Sequence, residues 1–171
     1  MSKKYLSITI AVTAVVLFLI GFFYISSRLL NYVESSMGFP VVYSSLSEAL
    51  RFKFSIGLLL ALCAPVALLI DWIYSIRRSL RIHVVGFFIS LIIPLAGLFA
   101  GFWLRVSFTR GILLTSMISV PKAKTVIPLH AINFFKWGLG SLIVVCILVA
   151  VLIFISKKKL KITDNFGVPN K

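Results

Sequence analysis

Asp71 is the only acidic residue that falls inside a long apolar stretch of the sequence. A carboxyl group is costly to place in such a stretch, and there it often serves in a proton relay or an ion pair. Arg77 and Arg78 follow within two helical turns. We therefore interpret Asp71, Arg77 and Arg78 as a candidate ion pair at the end of a membrane helix, with a proton relay as the alternative.

A second group of polar residues lies between Arg105 and Lys136, a stretch with five basic residues and no acidic one. Such a surface attracts the phosphate groups of lipids or an acidic protein. Arg105 and Lys136 flank apolar runs, so the candidate binding residues lie between them, namely Arg110, Lys122, Lys124 and His130. The alternative is that these side chains are simply solvated.

Residues for catalysis or metal binding do not occur in a known pattern. His83 and His130 stand alone, and Cys63 and Cys146 fall in apolar runs without a Cys-x-x-Cys motif. A glycine-rich phosphate loop, a Gly-x-Ser-x-Gly elbow and a His-Glu-x-x-His motif are also missing from the sequence. We therefore expect a protein that is not an enzyme and that binds neither a cofactor nor a metal.

The composition indicates that the chain is surrounded by lipid. Hydrophobic residues make up 60% of the sequence and the mean hydropathy is +1.09, whereas soluble domains contain roughly 45–50% apolar residues. The net charge is +14, but the basic residues cluster at the ends of apolar runs. This pattern favours contact with membrane lipids over nucleic acid. The sequence thus predicts an all-α integral membrane protein.

Four apolar runs are long enough to cross a hydrocarbon core of roughly 30 Å as helices. The predicted spans are residues 5–27, 54–75, 84–105 and 136–156. Between and after them we expect outer loops at 28–53 and 106–135, a cytoplasmic turn at 76–83 and a disordered cytoplasmic tail at 157–171. The chain is then a single membrane domain in which four transmembrane helices form two helical hairpins.

The basic residues also predict the orientation of the chain. With both termini inside, ten Lys and Arg residues fall on inner segments and eight on outer loops. The inner charge is the more concentrated, because Arg77, Arg78 and Arg81 share one short turn and Lys157–Lys161 forms a stop signal. Since positive charge near the ends of spans marks the cytoplasmic side, we expect a multi-pass protein of the inner membrane with cytoplasmic termini.

Two further patterns concern helix packing. Gly97 and Gly101 have the Gly-x-x-x-Gly spacing that is typical of a face on which another helix packs closely. An offset of 83 residues also aligns Gly57 with Gly140 and Cys63 with Cys146. This repeat is consistent with a duplicated helical hairpin, although chance agreement is common between two apolar sequences.

In size, four-span layout, orientation and basic tail, the chain resembles the immunity proteins of colicin A and B type. The resemblance concerns architecture and carries no motif residues. It implies a non-enzymatic inner-membrane protein that binds a pore-forming bacteriocin in the bilayer and prevents its channel from opening, as an immunity or exclusion protein. The alternatives are a small transporter or flippase subunit and an accessory subunit of a larger membrane complex, and a homo-oligomer stays open.

Overall fold

The computed structural model describes residues 3–78, 84–119 and 126–165. Its first helix consists of α1 (Lys3–Ile20), a π-helical segment (Gly21–Ile25) and α2 (Ser26–Met37), which follow one another without a break. The other long helices are α3 (Leu46–Arg78), α4 (Val84–Ser119) and α5 (Phe134–Asn165). The connecting segments contain two short strands, β1 (Val41–Val42) and β2 (Ile127–Pro128), and a 3-10 turn (Leu129–Ala131).

Four helices of the described chain are long and apolar enough to cross a membrane. They are Tyr5–Met37, Leu46–Ile73, Val84–Thr115 and Phe134–Ile155. Many of their large apolar side chains are exposed, which is the pattern of a surface that contacts a membrane. The predicted helical fold is confirmed, with four helices that are long and apolar enough to span a membrane.

The helices extend beyond the predicted spans. α2 occupies part of the predicted loop 28–53, α4 fills almost half of the predicted loop 106–135, and α5 enters the predicted disordered tail 157–171. α3 likewise ends at Arg78, inside the predicted turn 76–83. A basic side chain fixes the depth of a membrane helix but does not end it, because arginine and lysine are good helix formers.

The four long helices pack largely in chain order. α1 contacts α3, α3 contacts α4 and α4 contacts α5, while α3 also contacts α5. In the apolar part of α3, 50% of the residues are buried, compared with 6% in that of the first helix. The helix α3 is therefore the centre of the bundle, and the N-terminal helix lies at its edge.

One end of the bundle carries a folded cap, which we define as residues 26–53, 105–119 and 126–136. Within it, β1 pairs in parallel with β2, so that Val41 lies opposite Ile127. Apolar side chains from α2, α4 and both connecting segments form its interior, and those buried are Leu29, Val33, Met37, Val41, Val106, Ile127, Leu129 and Ile132. The strand pair thus joins two segments that are far apart in the sequence.

Ser45 caps the N-terminus of α3. Its hydroxyl oxygen accepts a hydrogen bond of 3.2 Å from the backbone N–H of Glu48. The Glu48 carboxylate in turn accepts hydrogen bonds from the N–H and the hydroxyl of Ser44, at 2.8 and 2.7 Å. This arrangement resembles a capping box, and it explains why α3 begins at Leu46, well before the predicted span.

Candidate functional site

The two acidic residues of the cap are both used to hold the cap together. Glu34 accepts a hydrogen bond of 2.9 Å from the backbone N–H of Val41, which fixes α2 against β1. Glu48 binds Ser44 as described above, and one of its oxygens lies 3.7 Å from Nδ1 of His130. These contacts keep both carboxylates close to the backbone, where they satisfy donors of the cap itself.

The basic residues of the cap outnumber its acids by six to two over the described residues. Arg51, Arg110 and Lys136 are exposed. In the part of the chain that the structure describes, none of these three side chains forms an ion pair with a carboxylate. The cap therefore presents a positive surface whose own carboxylates are already engaged.

Arg110 stands beside a cleft between α2 and α4. The cleft has a volume of about 290 Å³, and its lining consists of Arg110, Leu113, Leu114 and the segment 35–39. This segment includes the C-terminal end of α2, where Gly38 adopts a positive φ of 73°. The exposed guanidinium at the rim is suited to bind a carboxylate or a phosphate, because its planar fork of donors matches both groups.

His130 lies at a different cleft, of about 340 Å³, between the start of α3 and the segment that leads into α5. Arg51 and Glu48 are on the same rim. The side chain of His130 is 76% exposed, so its contact with Glu48 is an exposed one and stabilises the cap only slightly. Arg110 and His130, predicted to serve one binding surface, thus line separate clefts. Lys122 and Lys124 lie outside the described residues.

Asp71 is buried between α3 and α4, with 8% of its surface exposed. Its Oδ1 atom lies so close to Gly86 that a Cβ atom at position 86 would stand 2.5 Å from it. Gly86 therefore makes room for the carboxyl group. Arg77 and Arg78 form the end of α3, but their side chains are not among those that the structure describes. The ion pair with Asp71 stays a prediction.

Gly97 and Gly101 lie on the face of α4 that packs against α5. A Cβ atom at position 97 would overlap Val145, and one at position 101 would stand 2.7 Å from the Cβ of Ser141. Because Gly97 faces Val145 while Gly101 faces Ser141, the two helices run antiparallel. The absence of side chains on this face allows the backbones to approach closely.

The residues aligned by the 83-residue offset differ in their surroundings. Gly57 lies against Phe18 of α1, whereas a Cβ atom at Gly140 would meet nothing within 4 Å. Cys63 is buried and Cys146 is exposed. If the two hairpins are duplicates, Gly140 does not keep the close helix contact that Gly57 makes with α1.

Two contacts between arginine and aromatic side chains have no counterpart among the predicted site residues. The guanidinium of Arg28 lies 5.2 Å from the centre of the Tyr24 ring, and that of Arg105 lies 5.5 Å from the Trp137 ring. The first pair is visible in the sequence as an i, i+4 spacing on a helix, but the second joins two helices. Both cations lie where a span predicted from the sequence ends, at residues 27 and 105.

Metal binding finds no support in the described residues, where no group of three or more His, Cys, Asp and Glu side chains could hold an ion. In comparisons with known proteins, no protein-family model, no curated protein and no solved structure matches the chain. Its function is therefore inferred from the geometry and charge of the cap.

Proposed function

We propose that this protein is a non-enzymatic, multi-pass protein of the inner membrane that binds another membrane protein through its cap. The observation that carries the proposal is the charge of the cap, in which Glu34 and Glu48 are bound internally while Arg51, Arg110 and Lys136 remain on the surface. In the proposed topology the helices form two hairpins, the cap faces outward and both termini are cytoplasmic.

The best candidate partner is a pore-forming bacteriocin, for which the protein would serve as an immunity or exclusion protein. The positive cap attracts acidic segments of the toxin and raises the rate of encounter. The N-terminal helix then offers an apolar surface within the bilayer, since only 6% of the residues in its apolar part are buried. Pairing of this helix with the toxin hairpin would hold the channel closed.

The experiment is a protection assay in sensitive cells that express the chain. Cells are exposed to a panel of channel-forming colicins and to nuclease colicins, which kill without forming a channel. We expect protection against a channel-forming toxin and none against the nucleases. Survival of the challenged cells measures protection, and the amount of the protein in the membrane is determined in parallel.

A pair of charge variants tests the role of the cap. Replacing Arg51, Arg110 and Lys136 by glutamine should reduce protection, because the positive surface of the cap is lost. The matched control replaces Lys158, Lys161 and Lys171 by glutamine, which removes the same charge from the other end of the chain and should leave protection unchanged. The proposal is wrong if the chain protects against no channel former, or if both variants protect as well as the parent.

A small transporter subunit is the second candidate, and the burial of Asp71 against Gly86 favours it. A buried carboxyl group in a membrane helix often takes part in proton-coupled transport. Proton flux into proteoliposomes would support this function if the Asp71→Asn variant abolishes that flux. Co-purification with a stable set of membrane proteins would instead indicate an accessory subunit.

A further inference from the structure

An apolar groove lies where the N-terminal helix passes α4, at the boundary between the cap and the rest of the bundle. It has a volume of about 240 Å³. Apolar side chains form most of its lining, and two polar ones, Arg28 and Tyr32, belong to the cap. The lining residues are Ile25, Arg28, Leu29, Tyr32, Phe99, Phe102 and Trp103. The groove therefore combines an apolar surface with a single cationic group.

The π-helical segment shapes this part of the N-terminal helix. The N–H of Ser26 bonds the carbonyl of Gly21, and its hydroxyl donates a 2.7 Å hydrogen bond to the carbonyl of Phe22. A Cβ atom on Gly21 would stand 2.8 Å from the Cα of Gly57, so the helix is held tightly on α3 at this point. Segments of this kind are rare and frequently occur at functional sites.

The depth of the groove matches the boundary between hydrocarbon and headgroups. The apolar part of the helix begins at Tyr5, and Arg28 follows about 35 Å further along the helix axis. A hydrocarbon core is roughly 30 Å thick. Arg28 therefore lies at the level of the lipid phosphates when the helix crosses the bilayer, and Phe99 lies deeper, among the acyl chains.

We propose that this groove binds one anionic phospholipid, with the lipid phosphate on Arg28 and an acyl chain along Phe99 and Trp103. Two features of the groove select this ligand. Arg28 is exposed and stacks on Tyr24, which presents its guanidinium at headgroup level. The apolar side chains of Phe99, Phe102 and Trp103 continue the lining away from Arg28, as an acyl chain that extends from its headgroup requires.

Tryptophan fluorescence tests the proposal, because Trp103 lines the groove and is 58% exposed. The variant W72F/W137F leaves Trp103 as the reporter. It is placed in phosphatidylcholine nanodiscs that contain a small fraction of either dibrominated phosphatidylglycerol or dibrominated phosphatidylcholine. We expect the anionic brominated lipid to quench Trp103 more strongly than the zwitterionic one at the same fraction.

Arg28→Gln should reduce the preference for the anionic lipid about fivefold, the factor that one basic side chain provides at an anionic membrane surface. Arg51→Gln is the matched control, because Arg51 is an exposed basic residue of the same cap that lines another cleft. It should leave the preference unchanged. Equal loss in both variants would show a general effect of charge and would overturn the assignment to this groove.

A competition measurement keeps the test independent of how well Arg28→Gln folds. In the W72F/W137F variant, which keeps Arg28, unlabelled phosphatidylglycerol should displace the brominated anionic lipid and restore the fluorescence of Trp103. Soluble glycerol phosphate should not displace it, because it lacks the acyl chain that the groove binds. Equal quenching by the two brominated lipids, or displacement by glycerol phosphate alone, would contradict a phospholipid site.

Discussion

Gly101 shows at the scale of a single residue how this bundle is held together. A Cβ atom there would stand 2.7 Å from the Cβ of Ser141 and 3.3 Å from the carbonyl oxygen of Trp137. The second of these atoms belongs to the backbone of α5, which moves only if the helix moves. The close approach of α4 and α5 therefore depends on the missing side chain.

We expect Gly101→Ala to lower the free energy of unfolding by about 1–3 kcal/mol, the usual cost of adding a methyl group to a closely packed site. Reversible unfolding in mixed detergent micelles, followed by circular dichroism, measures the change. Gly140→Ala is the control, because a Cβ atom there meets nothing within 4 Å. An unchanged stability for Gly101→Ala would contradict the packing of α4 on α5.

Some residues of the candidate site could be predicted from local sequence and others could not. The Gly-x-x-x-Gly spacing indicates Gly97 and Gly101 directly, because helical neighbours recur every three or four residues. The role of Gly86 beside Asp71 is not visible in any spacing, since the two residues lie on different helices. Contacts of this kind depend on the register between helices, which no local pattern defines.

At the scale of elements, the pairing of β1 with β2 is the contact that joins both connecting segments of the cap. Val42 lies opposite Pro128, and both side chains are exposed. Paired strands lie about 4.8 Å apart, and a disulfide bridges Cα atoms that are about 4.4–6.8 Å apart. The two positions are therefore suited to a cross-link.

We expect the variant V42C/P128C to form a disulfide under mild oxidation when Cys63 and Cys146 are replaced by alanine. Cleavage by a protease between the two positions, followed by gel electrophoresis with and without reductant, detects the bond. The control variant V42C/N133C pairs the same position with an exposed residue beyond β2 and should form the bond more slowly. Equal rates would indicate that the strand pair does not persist in solution.

The bounds of the elements were harder to predict than their number. Hydropathy identifies four spans because each must cross the same thickness of hydrocarbon. It does not reveal that the chain stays helical in α2 and α4 beyond the predicted spans, where Val33 and Val106 pack within the cap. Strands of two residues leave no periodic signal at all, so β1 and β2 could be found only in the folded chain.

At the scale of the whole molecule, the proposed orientation places the cap outside and both termini in the cytoplasm. A reporter that is active only in the cytoplasm should be active when it is fused after Lys161, and a reporter that is active only outside the cytoplasm should be inactive there. A cysteine introduced at Ser45 should react with a membrane-impermeant maleimide in intact cells. The control is a cysteine introduced at Ser156, which should react only after the cells are opened. The opposite labelling pattern would invert the topology.

The parallel pairing of β1 and β2 also has a consequence for biogenesis. The ribosome releases the first strand long before the second, and at about 5–20 residues per second the interval is on the order of ten seconds. In the proposed topology, the translocation machinery has to insert two more helices and export another connecting segment during that time. Closure of the cap is thus a late step. Until β1 and β2 have paired, the nascent chain is exposed to quality-control proteases.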